Sequence, residues 1–445
     1  MRKTPLECWA ANKIGIDEAA LTREQISRYQ MERLKATIQW AWRCSPFYRN
    51  LLQGVAEKEL TCFDDLRRFP FTDAEDIRRQ GLQFLCVSQD DISRAVTLDS
   101  SGTTGAVKRL YFESVDQAAT VDFFQYGMAA LVERGDRVLI LLPGERAGSV
   151  GTLLATALNN LGAQPIPYGV VRSIPQALEV MYRERIDSLV GSPAEVFALA
   201  RYAKTVAGKV FRLKNVLLST DYVPKAIEGE LQQLWGCDVF QHYGMTEMGL
   251  GGGTDCAAHS GYHLHEADFY FEIIDPLTFE VVPEGQKGEV VVTTLNRRGM
   301  PLIRYRTGDI SRFIPGKCGC GAVLKRLEQI SARKDGQIVL ITNQYITMAD
   351  LDEALFPVDG VISFAAEVDS IKKATKLTIT ALTVGKSAGR IEHELYFALN
   401  KVTAIRLARR AGMLTVQIKN KRCDGTLFPS KAKRAITELK EVDEN

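Results

Sequence analysis

The middle of the chain alternates short apolar runs with amphipathic stretches of helical length. The apolar runs are DRVLILLP, AQPIPY, DSLVGSP and NVLLST, and stretches such as VGTLLATALNNLG and IPQALEVMYRERI lie between them. Strands that alternate with helices of this length predict βαβ units and a mostly parallel sheet covered on both faces. Because ligands bind at the carboxyl ends of such strands, we expect functional residues there.

The pattern differs on either side of this region. From Leu21 to Leu52, apolar positions at helical spacing among charges predict amphipathic helices. After Trp235 the runs YFEIIDP, GEVVVTTL and PLIRYRTGDI predict strands and turns, and after SARKDG a new series of strands and helices begins. We therefore predict an α/β fold with a large domain over residues 1–334, whose mostly parallel sheets are flanked by helices and which includes a β-rich subdomain over 235–334. A small α+β domain over 335–445 completes the prediction.

Composition limits the classes of partner. The 445 residues include 56 basic and 54 acidic side chains, so no strong field would attract nucleic acid or an anionic membrane. The first residues lack an apolar signal region, and no run of about 18 apolar residues occurs. We expect a cytoplasmic protein that binds neither nucleic acid nor membrane. Nine cysteines, an odd number, indicate free thiols or metal ligands and not a disulfide framework.

The stretch LDSSGTTGAVKRLYF, residues 98–112, combines hydroxyl side chains, glycines and one lysine ahead of a β-prone run. Hydroxyls, backbone N–H groups made accessible by glycine and a single cation can surround a polyphosphate without a large basic patch. The spacing differs from that of a Walker A loop. Taken alone, the stretch is equally typical of a Ser/Thr-rich surface turn.

Two later stretches carry complementary chemistry. In QHYGMTEMG, residues 241–249, Tyr243 could stack on a base, Thr246 could bond a phosphate and Glu247 could hold Mg²⁺. In PLIRYRTGDI, Asp309 follows a glycine and could accept both hydroxyls of a ribose. Each stretch alone is typical of an ordinary junction between strand and turn, so the specific signal is their order along the chain.

The order SSGTTGAVK, YGMTE, YRTGD, ARKDG and PSKAKR resembles the adenylate-forming superfamily of acyl-CoA synthetases, adenylation domains and luciferases. Within it the chain resembles the phenylacetate-CoA ligase family, to which SPFYRNLL, GSPAEVFALA and GEVVVTTLNRRGMPLIRYRTGD also correspond. The resemblance implies an AMP-forming carboxylate ligase that adenylates an (aryl) carboxylic acid with ATP and Mg²⁺ and transfers the acyl group to CoA. It also implies that the C-terminal domain is mobile. The expected partner is then a small-molecule carboxylic acid. The sequence leaves open whether two copies of the chain form a homodimer.

The resemblance assigns roles to particular residues. It implies a phosphate loop of Ser100, Ser101, Gly102, Thr103, Thr104, Gly105 and Lys108, and an adenine side of Ser219, Thr220, Asp221, His242, Tyr243 and Gly244. Thr246 and Glu247 are expected at the α-phosphate and Mg²⁺, and Asp309 and Arg333 at the ribose. Lys431 matches the lysine that bridges the attacking carboxylate and the α-phosphate in relatives, with Lys433 as a second candidate. A solvated basic helix start is the alternative for these lysines.

The resemblance places the hinge, about which the C-terminal domain of relatives swings, at Asp335, and the chain departs from the family just after it. Relatives carry a glycine that lets the pantetheine arm of CoA approach the adenylate, whereas the strand VLITNQYI has Thr342 and Asn343 there. Two alternatives are therefore open. The enzyme could use another acceptor (an amine, a carrier thiol, or none, with a stable adenylate), or the chain could be a non-catalytic nucleotide-binding homologue. The non-catalytic alternative is disfavoured, because a homologue without activity should have lost at least one of the loop, Glu247, Asp309 and Lys431.

Cysteine and histidine are concentrated in TDCAAHSGYHLHE and GKCGCGA. Four of the five histidines lie between positions 242 and 265. Thiolates and imidazole suit tetrahedral Zn²⁺. Some members of the resembled family have a cysteine, a Gly-x-His and a later Cys-x-Cys at these positions, which implies a structural zinc bound by Cys256, His263, Cys318 and Cys320. A set of reduced thiols is the alternative.

Overall fold

The computed structural model of the protein describes residues 3–56, 58–98, 107–330, 332–333, 336–371, 374–385, 388–429 and 434–439. The chain divides into two compact units. Unit 1 comprises residues 1–133, 146–162 and 242–330, and unit 2 comprises residues 134–145, 163–241 and 331–445. The division at residues 334 and 335, and the mobility of the part that follows, stay predictions.

The described helices are α1 (Pro5–Ile14), α2 (Arg23–Cys44), α3 (Pro46–Leu51), α4 (Ala74–Gln80), α5 (Ser114–Met128), α6 (Val150–Asn160), α7 (Ile174–Arg183), α8 (Pro193–Tyr202), α9 (Lys225–Trp235), α10 (Met348–Leu355), α11 (Ala388–Leu399) and α12 (Thr403–Arg410). Among these described helices, none combines the length and the apolar character needed to span a bilayer.

The described strands are β1 (Arg94–Leu98), β2 (Lys108–Phe112), β3 (Arg137–Leu141), β4 (Gln164–Pro167), β5 (Ser188–Gly191), β6 (Asn215–Leu218), β7 (Asp238–Tyr243), β8 (Gly253–Thr254), β9 (Tyr262–Leu264), β10 (Phe269–Ile274), β11 (Gly288–Thr294), β12 (Tyr305–Ser311), β13 (Arg326–Leu327), β14 (Ala332–Arg333), β15 (Ile338–Ile341), β16 (Gln344–Ile346), β17 (Val361–Ile371), β18 (Ala374–Thr383), β19 (Leu414–Arg422) and β20 (Thr437–Leu439).

Unit 2 contains the predicted parallel sheet, in the order β4-β3-β5-β6-β7, with every neighbouring pair parallel. Helices α7, α8 and α9 connect successive strands from β4 to β7, as the alternating pattern predicts. All residues of β5, and all of β6 except Asn215, are buried because helices cover such a sheet on its faces. The α/β fold class is confirmed.

The C-terminal part of unit 2 forms a second sheet in the order β19-β18-β17-β20. Strands β17 and β18 are antiparallel, and β19 and β20 run parallel to their neighbours. One hydrophobic core joins this part to the parallel sheet of the same unit, and the rings of Phe197 on α8 and Phe356 meet edge to face at 5.2 Å. The small α+β part is thus present as predicted.

Unit 1 contains the β-rich part of the chain. Strands β10, β11 and β12 pair antiparallel, as do β1 and β2. The last two residues of β7, His242 and Tyr243, pair with β8, which pairs with β9, which pairs with β13. Helix α2 begins with a capping box between Thr22 and Gln25 and packs against β10 and β11. Its apolar side chains enter the same core as the β-rich strands.

Candidate functional site

The YGMTE motif occupies a sharp turn at the end of β7 in unit 1. Tyr243 is the last residue of the strand, and Thr246–Met248 form a single 3₁₀ turn. A side-chain Cβ on Gly244 would lie 2.1 Å from the carbonyl oxygen of Leu250. Only glycine therefore fits at this position, where the two backbone segments of the turn approach closely.

Glu247 is the centre of a buried polar cluster. Its side chain is only 3% exposed, and its Oε1 atom accepts from the ammonium group of Lys108 and, at 3.1 Å, from the hydroxyl of Tyr305. The guanidinium of Arg297 donates to the Glu247 carbonyl oxygen at 2.6 Å. The structure thus brings together two of the predicted site residues, Lys108 and Glu247. A buried carboxylate of this kind is stable only with such partners.

A second pair of predicted residues meets within the same unit. The hydroxyl of Tyr243 donates to Oδ2 of Asp309 at 3.0 Å, and both side chains are buried. The backbone N–H of Asp309 donates to Oγ1 of Thr307, whose hydroxyl donates to the carbonyl of Val290 at 2.8 Å. The Tyr243 ring is nearly parallel to that of Tyr262, with centroids 5.9 Å apart. Asp309 is therefore fixed in place by β11 and β12.

Tyr305 and Arg297 are functional candidates that the sequence analysis missed. Burial along β12 alternates, with Tyr305, Thr307 and Asp309 on the buried face. Because side chains two residues apart point to the same face of a strand, the YRTGD motif itself carried the signal for Tyr305. Arg297 gave no comparable signal, because its contact with the Glu247 carbonyl depends on tertiary packing.

His242 precedes Tyr243, and its ring centroid lies 6.0 Å from that of Phe123 and 6.1 Å from that of Phe124. Burial, with a smaller contribution from the charge of His265, lowers the pKa of His242 to about 4. The imidazole is therefore neutral at pH 7. It adds an aromatic, uncharged face beside the tyrosine predicted to stack on adenine.

Ser219, Thr220 and Asp221 lie in unit 2, directly after β6, at the carboxyl end of the parallel sheet. The Ser219 N–H donates to the carbonyl of Gly191 at 3.1 Å. Thr220 has a φ of 76°, an unusual conformation for a β-branched residue. Asp221 accepts from the N–H groups of Tyr222 at 2.9 Å and Arg434 at 3.2 Å. Arg333, on the short strand β14, also belongs to unit 2.

Several predicted residues lie outside the described part of the chain. These are Ser100, Ser101, Gly102, Thr103, Thr104 and Gly105 of the predicted phosphate loop, and the lysines Lys431 and Lys433. The flanks of the loop are described: β1 and β2 pair antiparallel, with Leu98 opposite Lys108.

The four predicted zinc ligands come together in unit 1. Their ligand atoms all lie within 4.8 Å of one another, and all four side chains are buried. The Sγ atoms of Cys256 and Cys318 are 3.7 Å apart, and Sγ of Cys320 lies 3.4 Å from Nε2 of His263. Two other histidines point elsewhere: His259 contacts Asp255 at 2.8 Å, and His265 contacts the Gly251 carbonyl at 3.0 Å.

These distances fit a tetrahedral metal site. Two thiolates on one Zn²⁺ at about 2.3 Å would be about 3.8 Å apart, and a thiolate and an imidazole nitrogen about 3.6 Å. Burial lowers the pKa of His263 to about 4, so the imidazole is neutral and able to ligate at pH 7. Burial raises the pKa of the Cys256 thiol, which a bound cation would counteract. The four side chains would supply all four ligands of a tetrahedral metal.

The departure at Thr342 and Asn343 lies in the turn between β15 and β16 in unit 2. Asn343 has a φ of 61°, in the left-handed region. Glycine adopts this conformation freely, and asparagine does so more readily than most residues. The position therefore keeps the backbone conformation of a glycine while carrying a side chain.

A family model for AMP-binding enzymes matches residues 72–296, just over half of the chain. The chain belongs to this family. The matched range contains Lys108, the residues that follow β6, and the YGMTE motif.

Within the family, curated relatives are phenylacetate-CoA ligases. That of Thermus thermophilus is 29% identical over 326 residues, which cover 72% of this chain and 73% of the relative. That of Pseudomonas putida is 28% identical over 326 residues, 71% of this chain and 72% of the relative. The predicted membership of the adenylate-forming enzymes, close to phenylacetate-CoA ligases, is confirmed.

Solved structures share the fold. A 2-hydroxyisobutyryl-CoA ligase in the postadenylation state, in complex with 2-HIB-AMP, superposes with a TM-score of 0.77 at 19% identity, over 95% of this chain and 91% of that one. A benzoate CoA ligase from Burkholderia xenovorans gives a TM-score of 0.51 at 16% identity, over 79% of this chain and 68% of that one.

Proposed function

We propose that the protein is an AMP-forming ligase that activates an arylacetic or related aromatic carboxylic acid with ATP and transfers the acyl group to CoA. The observation that carries the proposal is the buried Lys108–Glu247–Tyr305 cluster, with Tyr243 and Asp309 paired in the same unit. The curated relatives, all phenylacetate-CoA ligases, support CoA as the acceptor and an aromatic acid as the substrate.

In the first half-reaction a carboxylate oxygen attacks the α-phosphorus of ATP, and the bond from that phosphorus to the bridging oxygen breaks. Pyrophosphate leaves with the bonding electrons. In the second half-reaction the CoA sulfur, as thiolate, attacks the acyl carbon, and AMP leaves as the bond between acyl carbon and phosphate oxygen breaks. Both leaving groups are anions, so the enzyme must supply positive charge where they depart.

Lys108 and Glu247 meet this requirement as a pair. Glu247 offers a hard oxygen ligand that suits Mg²⁺, which would neutralise polyphosphate charge when bound. Before nucleotide binds, the Lys108 ammonium compensates the buried carboxylate. A cation bound with the nucleotide would take over this compensation of Glu247, which would free Lys108 to contact phosphate. Tyr305 orients the carboxylate throughout, because its hydroxyl donates to the same oxygen.

The other predicted residues complete the proposal. Asp309 accepts the ribose hydroxyls, Tyr243 and His242 face the adenine, Gly244 keeps the turn tight and Thr246 bonds the α-phosphate. Ser219, Thr220 and Asp221 act at the adenine, Arg333 at the ribose, and the loop of residues 100–105 with Lys108 at the phosphates. Lys431, or else Lys433, stabilises the charge on the α-phosphate and aligns the attacking carboxylate.

A structural zinc at Cys256, His263, Cys318 and Cys320 is part of the proposal. The metal would connect the loop after β8, strand β9 and the loop between β12 and β13. With four protein ligands the site has no open position for substrate, so its role is in stability. The cytoplasmic location and the homodimer stay predictions.

The test is ATP–pyrophosphate exchange across a panel of carboxylic acids, followed by thioester formation with CoA. Exchange that depends on an aromatic acid, and AMP release that CoA stimulates, are the expected results. Glu247→Gln and Asp309→Asn should lower exchange, whereas Glu179→Gln, on the exposed face of α7, should not. Pyrophosphate exchange without AMP release that CoA stimulates would favour another acceptor, because the Asn343 side chain stands where relatives have a glycine that admits the pantetheine arm of CoA. Absence of exchange with every acid would contradict the proposal.

A further inference from the structure

The turn that follows β6 is strained. Thr220 has a φ of 76°, and a β-branched side chain in this region clashes with its own backbone. Such a conformation persists only where the surrounding structure imposes it, and it is concentrated at functional sites. The turn carries the residues proposed to contact adenine, so whatever fixes its shape also fixes that contact.

Glu353 and Arg434 contact this turn, and both belong to residues 331–445 of unit 2. The backbone N–H of Arg434 donates to Oδ2 of Asp221 at 3.2 Å, next to Thr220. Oε1 of Glu353, on α10, accepts from the hydroxyl of Tyr222 at 2.7 Å. The same Glu353 oxygen accepts from the N–H of Lys225 at 3.0 Å, at the first turn of α9. A carboxylate there is also favoured by the positive end of the helix.

Arg434 is itself held firmly. Its guanidinium donates to buried Asp352 at 2.5 Å and to the Phe364 carbonyl at 3.2 Å. It also lies over the rings of Phe364 and Phe356, at 4.3 and 5.0 Å. The adjacent acids Asp352 and Glu353 thus act on the turn from two directions, one through Arg434 and one through Tyr222.

We infer that Glu353 and Arg434 clamp the strained turn at Thr220 and thereby set the affinity for the adenine nucleotide. Both are positioning residues, since they act through Asp221 and Tyr222. The inference rests on the proposed role of Ser219, Thr220 and Asp221 at the adenine. It makes nucleotide affinity depend on residues that lie more than 130 positions further along the chain.

The test measures AMP binding by calorimetry together with the kinetics of pyrophosphate exchange. Tyr222→Phe removes one hydroxyl and should weaken AMP binding and raise the KM for ATP by about 3- to 10-fold, the net effect of one ordinary hydrogen bond. The kcat should stay within about twofold, because the reacting groups are unchanged. Glu353→Ala should weaken AMP binding at least as much. Tyr182→Phe, at an exposed tyrosine of unit 2, is the matched control.

A double-mutant cycle separates the clamp from general stability. Glycine adopts a φ of 76° without strain, so in a Thr220→Gly background the Tyr222→Phe substitution should cost less than about twofold in AMP affinity. An unchanged penalty in that background, or AMP affinity in Tyr222→Phe equal to that of Tyr182→Phe, would overturn the inference. If Glu353→Ala fails to fold, the AMP affinity of Tyr222→Phe and the double-mutant cycle with Thr220→Gly still test the inference. Wild-type protein that does not bind AMP would instead contradict the proposed function.

Discussion

Replacing Cys318 with serine should remove the metal from the Cys–His cluster and destabilise unit 1. Cys318 lies 3.7 Å from Cys256, and both thiols are buried with Cys320 and His263. Serine keeps the volume nearly unchanged but offers a protonated, hard oxygen where Zn²⁺ prefers a thiolate. The substitution therefore tests ligation and not packing.

The expected magnitude follows from the position of the ligands in the chain. Cys256 and Cys318 are 62 positions apart, so a shared metal closes a long loop. A structural zinc contributes its binding free energy to folding. If losing one of four ligands removes about 3–5 kcal/mol of that contribution, the melting temperature of a unit of about 240 residues should fall by about 6–20 °C.

The measurements are zinc content by mass spectrometry and thermal unfolding by calorimetry. Wild-type protein should hold close to one zinc per chain, and Cys318→Ser clearly less. Cys62→Ser is the matched control, because Cys62 is an exposed cysteine of the same unit outside the cluster. Wild-type protein that contains no zinc after production with ample metal, or a Cys318→Ser variant that melts with the control, would refute the reasoning.

Two further predictions concern the site, and a third concerns the pH dependence of stability. Lys431→Ala should lower pyrophosphate exchange by about 100-fold or more while leaving ATP affinity within a few fold, because the charge of Lys431 acts mainly in the transition state. An inactive Lys433→Ala variant together with an active Lys431→Ala variant would assign the α-phosphate role to Lys433. Tyr305→Phe should lower exchange by about tenfold, since Glu247 loses one of the two side-chain donors that the described residues provide. Titration of the rate with Mg²⁺ should show a higher half-saturating concentration. Burial alone would raise the pKa of the Asp268 carboxyl, but the hydrogen bond and charge of His265, with Lys13, hold that pKa well below its usual range. Asp268 therefore stabilises the fold above about pH 4 and loses this contribution as the pH falls further. The difference in melting temperature between wild type and Asp268→Asn should therefore shrink as the pH falls below about 4. A difference that stays constant through this range would contradict the reasoning.

The sequence by itself determined the fold class and the family. The alternation of apolar runs with helical stretches predicts the parallel sheet of unit 2, because local periodicity reflects which faces are buried. The order of motifs from SSGTTGAVK to PSKAKR indicates the adenylate-forming enzymes, since each motif combines residue types suited to a phosphate, a base or a ribose. The donor types in Cys256, His263 and the Cys318–Cys320 pair likewise restrict the metal before any distance is known.

Only the tertiary structure decided which of these groups meet and what holds them. Glu247 and Lys108 are 139 positions apart, and Tyr222 and Glu353 are 131 apart. Neither contact has a local signature, because pairing across such separations is fixed by how strands and helices pack and not by the propensity of nearby residues. The sequence does not indicate the strain at Thr220 either, since threonine is an ordinary residue for a turn. Its left-handed backbone exists because surrounding contacts compensate its cost, and those contacts come from distant parts of the chain.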